Sequence, residues 1–154
     1  MLVGLLAGIF CLFVLGLVVW PDVACENFLT DFITDRLHNS TKYQFRLFTS
    51  NTTPGTATVL GDFTEASFTG YAAVAGSTIT WGTVGLVGHI AQTTGSNITY
   101  NNTSGSAVNV YGVYVTDNAN TVLYFAERDA AAPVSVPAGG SYIYTPNQQF
   151  KSTN

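Results

Sequence analysis

Charge is the scarcest material in this chain. Only 9% of its 154 residues are Asp, Glu, Lys or Arg, against roughly 25% in an ordinary globular domain. Five Lys and Arg against nine Asp and Glu leave a net charge of −4. Such a chain presents no basic footprint to a phosphate backbone, so no nucleic-acid partner is expected. There are two histidines, His38 and His89, and two cysteines, Cys11 and Cys25. Neither histidine has another His or a Cys within four residues of it, which argues against a zinc site. On one helix the two cysteines would stand about 21 Å apart, too far to bridge. From residue 26 onward there is no cysteine, so a disulfide framework is excluded there.

The motifs of common chemistries are missing too. There is no G-x-S-x-G, no glycine-rich phosphate loop between a strand and a helix, and no D-x-D-x-D-G calcium loop. Glycoside hydrolysis needs two facing carboxylates. Nothing singles out a pair among Asp62, Glu65, Asp117, Glu127 and Asp129. Asp62 and Glu65 flank a turn and read as caps or solvating groups. Glu127-Arg128-Asp129 reads as a strand end with a local ion pair. No catalytic residue, cofactor or metal is expected, and the chain is read as non-enzymatic.

What is present falls into unlike parts. Residues 1–20, MLVGLLAGIFCLFVLGLVVW, carry no charged side chain. As a helix they would reach roughly 30 Å, the thickness of a bilayer core. A signal peptide fits poorly, because no Lys or Arg precedes the apolar stretch. A lipoprotein signal fits poorly as well, because Asp22 stands where the box before Cys25 needs an aliphatic residue. Two further readings fit the run better than either signal, a membrane-crossing anchor and a helix buried in an oligomer bundle. Gly4, Gly8 and Gly16, with Leu12 between, fall at four-residue steps on one helical face. That small-xxx-small spacing lets helix backbones approach closely, so these four residues form the expected oligomer or anchor interface. Pro21 and Asp22 break the run. Residues 21–39 then show an apolar stripe through Phe28, Leu29, Phe32, Ile33 and Leu37, which predicts a short amphipathic helix.

From residue 40 to 154 the period changes to two. Tyr43, Phe45 and Leu47 alternate with Gln44, Arg46 and Phe48, and residues 50–58 form a turn-rich loop around Pro54-Gly55. A strand with a break at Gly70 is expected over 66–74. Others are expected near 77–81, 86–92, 97–101, 108–116, 122–128 and 141–145. Over 108–116 the alternation puts Val108, Val110, Gly112, Tyr114 and Thr116 on one face and Tyr111, Val113 and Val115 on the other. The pattern implies a mainly β fold, an antiparallel β-sandwich or jelly-roll-like domain behind the two helical segments. Tyr71 and Trp81 are candidate surface-binding aromatics, although either could equally be core. Sequons at Asn39, Asn51, Asn97, Asn101 and Asn102 matter only in a host that glycosylates exported chains.

Four segments taken in order, residues 45–54, 63–72, 110–115 and 123–128, resemble small structural proteins of tailed bacteriophages. The likeness covers roughly residues 21–147 and includes the opening Val19-Trp-Pro-Asp-Val23. It implies a multicopy virion component of the head, decoration or tail-fibre type, and it carries over no catalytic residue. The long apolar extension departs from that pattern. The expected partners are therefore copies of this chain and other virion proteins, with a membrane possible through residues 1–20. The alternative is a membrane-anchored or fibre-tip module that binds a host surface or glycan.

Overall fold

The computed structural model describes residues 12–14, 17–19, 41–87 and 90–151. The segments expected to be helical, 1–20 and 21–39, therefore lie almost wholly outside the described residues, as do Gly4, Gly8 and Gly16. The exceptions are two short strands, β1 (Leu12–Val14) and β2 (Leu17–Val19), which pair antiparallel with Leu12 opposite Val19. Short runs of Val, Leu and Phe suit such pairing. Among the described residues no helix is long and apolar enough to cross a membrane.

The rest is mainly β, and every strand pairing is antiparallel. β3 (Tyr43–Phe48) pairs with β9 (Gly112–Asp117) along its whole length and briefly with β4 (Val74–Ala75). β10 (Leu123–Arg128) completes a sheet of order β10-β9-β3-β4. β5 (Gly85–Val87), β6 (Ile90–Thr94) and β13 (Asn147–Lys151) form a second sheet. Two-stranded pairings join β7 (Ile98–Asn101) to β12 (Ser141–Tyr144) and β8 (Val108–Val110) to β11 (Val134–Val136). The β6–β7 and β12–β13 segments run alongside one another as a single interrupted ribbon. Thr94 opposes Asn147 and Ile98 opposes Tyr144, so one side carries an extra residue. The slip falls at Gly95, whose N–H reaches the Pro146 carbonyl at 2.8 Å.

The core lies where β3 and β9 face β7, β8, β11 and β12. Phe45, Leu47, Val113 and Val115 meet Tyr100, Val110, Val136 and Tyr142 there, all buried. Strict alternation supplies these residues: in β7, Ile98 and Tyr100 are buried while Thr99 and Asn101 are exposed. The expected alternation over 108–116 fails in one respect. Val110 shares the core with Val113 and Val115 instead of pointing with Tyr114. The strand breaks at Tyr111, whose N–H turns to the Phe48 carbonyl and whose own carbonyl accepts from Asp129. Gly112 makes the bend possible, because a Cβ there would overlap the Glu127 carbonyl oxygen.

The strand expected over 66–74 is also corrected. Only the bridge of Glu65 to Phe48 and the two residues of β4 are paired. In between, the Tyr71 N–H closes a turn on Phe68, and Gly70 sits at φ +91° against the Asn101 carbonyl and Thr103. Residues 77–81 form a 3-10 turn (Gly76–Thr78) and a single bridge at Trp81. β11 and β13 have no counterpart among the expected strands. The hairpin over 117–122 is present, braced by Asp117. Its carboxylate accepts the Thr121 and Val122 N–H groups and the Thr121 hydroxyl, and these bonds hold its pKa below the usual carboxylate range.

One buried side chain ties two loops together. Asn102 is fully buried, and its amide donates to the carbonyls of Ser106, Val136 and Pro137. Its side-chain oxygen accepts from the Ser104 N–H and hydroxyl. A sequon asparagine held in this way is closed to glycosylation in the folded chain. Asn102→Ala should cost about 2–4 kcal/mol, the penalty for orphaning several buried carbonyls, while Asn101→Ala, at an exposed site, should change stability by less than roughly 0.5 kcal/mol. Urea unfolding followed by circular dichroism checks both, and equal effects would contradict the reading.

Candidate functional site

On the face of β3 turned away from the core, an ion pair organises the surface. Arg46 lies on β3 among Gln44 and Phe48, and Glu65 reaches it from the segment bridged to the strand's end. The Arg46 guanidinium meets both Glu65 oxygens at 2.7 and 2.9 Å. Its remaining donors reach the Thr116 hydroxyl at 3.1 Å and the Gln44 side-chain oxygen at 2.6 Å. Glu65 also accepts from the Tyr71 hydroxyl at 2.9 Å, and Tyr71 in turn accepts the Leu47 N–H. Tyr71 thus satisfies a β3 donor beyond the end of β4. Beside this network Phe63 stacks on Tyr114 at 5.1 Å and packs against Phe48 at 4.9 Å. Phe48 and Tyr114 are buried although they point away from the main core, so residues 50–63 act as a cover on this face.

The acidic residues take structural places. Asp62 caps its turn by accepting the Val59 N–H. Glu65, expected to solvate that turn, is instead the acceptor of the Arg46 network. The local ion pair expected within Glu127-Arg128-Asp129 does not form. Strand alternation sends Arg128 the other way, onto the Tyr111 ring, the Thr52 carbonyl and Asn51. Glu127 and Asp129 accept the hydroxyls of Tyr144 and Tyr142. Among the described residues no three His, Cys, Asp or Glu converge as a metal site would require.

Both candidate binding aromatics pack against the core. Tyr71 stacks on Tyr100 at 5.7 Å, and burial, reinforced by the Glu65 charge, pushes its hydroxyl pKa up. Trp81 is half-buried, bridged to Gly95 and packed against the core. Leu12 is described only as a β1 residue paired with Val19.

An open groove of about 530 Å³ lies elsewhere, between the end of β3, residues 67–69 and residues 104–109. Its polar wall is Thr49, Ser67, Thr69, Ser104, Ser106 and Asn109, and its apolar part is Phe68, Ala107 and Val108. No charged side chain lines it. Nothing in the sequence marks it, because its three segments are far apart in the chain and carry only ordinary loop residues.

The outer-face pair yields a direct test. Arg46 is 12% exposed and Glu65 30% exposed, so removing one partner strands a partly desolvated charge. Glu65→Ala should destabilise by roughly 2–3 kcal/mol, the buried-pair cost discounted for solvent screening. Arg46→Ala added to it should cost clearly less than the sum of the single changes. A double-mutant cycle in denaturant measures this, and additive effects would refute the coupling. Comparison of the chain with family models, curated proteins and solved structures finds no match in any of the three.

Proposed function

We propose that this protein is a non-enzymatic structural component of a bacteriophage virion. It would be a multicopy capsid decoration or tail-associated protein, attached through its apolar N-terminal segment and displaying its β-domain. One observation carries the reading: an uncharged stretch of twenty residues is joined to a β-domain whose surface is solvated by Thr, Ser, Asn and Gln instead of charge. The first part suits burial, in copies of itself or in a larger partner. Burying each Leu, Ile, Val or Phe contributes about 1.5–3 kcal/mol before ordering costs. The second part suits long exposure to solvent. Many copies would turn weak contacts into avidity.

The resemblance of residues 45–54, 63–72, 110–115 and 123–128 to tailed-phage structural proteins supports the same reading. The fold is proposed as a jelly-roll-like β-sandwich. In its favour, the sheet containing β3 and β9 buries one face against β7 and β12, and the Tyr100 hydroxyl reaches across to the Phe45 carbonyl. A membrane-anchored surface protein is the competing localisation.

Purified particles should contain the chain at a fixed copy number by quantitative mass spectrometry. Deletion of residues 1–20 should abolish incorporation. A chain that is absent from particles and sediments with host membranes would refute the proposal.

A further inference from the structure

We infer that the groove between residues 67–69 and 104–109 is a binding site for an uncharged saccharide. The inference needs only the β-domain and stands whether or not the chain belongs to a virion.

The first argument is chemical. The wall carries five hydroxyls and one carboxamide, with no ionisable group. Hydroxyls and amides both donate and accept, which suits a ligand that is itself made of hydroxyls. Anions and cations find no counter-charge here. The side chains of Ser67, Thr69, Ser106 and Asn109 are exposed and form no hydrogen bond among the described residues. Their donors and acceptors are thus available to a ligand. Phe68 and Val108, both half-buried, supply the apolar surface on which the C–H face of a sugar ring can rest.

The second argument is rigidity. An open polar groove binds weakly unless its groups are held in place beforehand. Both walls of this one are fixed. The Thr103 N–H bonds the Thr69 carbonyl at 2.8 Å, tying one wall to the other. The buried Asn102 pins the 104–106 turn through Ser104 and Ser106. Gly70, at φ +91°, lets the 67–71 turn lie directly on Asn101 and Thr103, where any side chain would collide. On the far side, the Thr49 N–H and hydroxyl both bond the Thr64 carbonyl. The hydrogen bonds named above belong to the scaffold, and the hydroxyls of Ser67, Thr69 and Ser106 are left over.

The test uses the full chain, kept in a zwitterionic detergent that contains no sugar. Neutral oligosaccharides built from glucose, galactose, mannose, rhamnose and N-acetylglucosamine are screened by saturation-transfer NMR, with a sialylated oligosaccharide and an uncharged peptide as comparators. At least one neutral sugar should bind, with a dissociation constant on the order of a millimolar. Thr69→Arg and Ser106→Trp fill the groove from exposed positions. Each should weaken that binding by about tenfold or more, a loss worth one good hydrogen bond, with circular dichroism unchanged. Thr56→Arg, exposed and outside the groove, should leave it intact. The inference is overturned if no neutral sugar binds, if both groove variants bind as well as the unaltered chain, or if the sialylated sugar or the peptide is preferred.

Discussion

A tyrosine ring seeks burial while its hydroxyl must keep a hydrogen-bond partner, and the two layers of this domain are joined on that condition. With so little charge, the chain places tyrosines where their rings fill the space between sheets and their oxygens land on the opposite side. Tyr100, on β7, buries its ring and bonds the Phe45 carbonyl of β3. Tyr142 and Tyr144, on β12, reach Asp129 and Glu127 at the end of β10. Tyr71 closes the set by bonding Leu47 and Glu65 at the edge of β3. The buried contact of Tyr100 fixes position as well as distance, because its hydroxyl misplaced by one strand register would be left unsatisfied. The hydrophobic contacts around Phe45, which meets Tyr43, Phe125 and Tyr144 ring to ring, supply apolar contact, and the hydroxyls help select which arrangement forms.

That arrangement explains how the loops can be long yet fixed. Tyr71 belongs at once to the core stack and to the Arg46–Glu65 network, so the segment of residues 63–71 is held from both sides. The same segment continues into one wall of the open groove, and Asn102 anchors the other. A scaffold carrying exposed, uncharged polar loops suits the proposed display role.

Much of the fold was legible from alternation. Residues 43–48, 97–101, 122–128 and 141–145 were expected as strands, and the structure has β3, β7, β10 and β12 there. The misreadings have local causes. Over 66–74 the β-prone residues are real, but Gly70 and the turn at Phe68–Tyr71 fold the chain away from pairing. At Tyr111–Gly112 the phase of the strand slips, which a strict period of two cannot register. β13 is rich in Asn and Gln and was not expected as a strand; its hydrogen bonds come from pairing with β6, a partner more than fifty residues away. The site was less legible still. Tyr71 and Trp81 were singled out as aromatics, yet aromatic identity does not tell a platform from a core stack. Glu65 looked like a turn residue because its partner, Arg46, sits nineteen positions earlier. The groove consists of Ser, Thr and Asn, residues too common here to stand out.

Spectrophotometric titration of the full chain toward alkaline pH, with circular dichroism recorded alongside, tests the tyrosine account most directly. Burial raises the hydroxyls of Tyr43 and Tyr114 to about 12 and pushes those of Tyr71, Tyr100, Tyr142 and Tyr144 up as well. In the unfolded chain they ionise near pH 10. A folded pKa above the unfolded one means that the stabilisation is complete below about pH 10 and is lost as pH rises toward the folded values. The account predicts that most tyrosinate absorbance appears above pH 10 in one steep step, together with loss of the β signal. Gradual ionisation of these tyrosines around pH 10 with the β signal intact would contradict it.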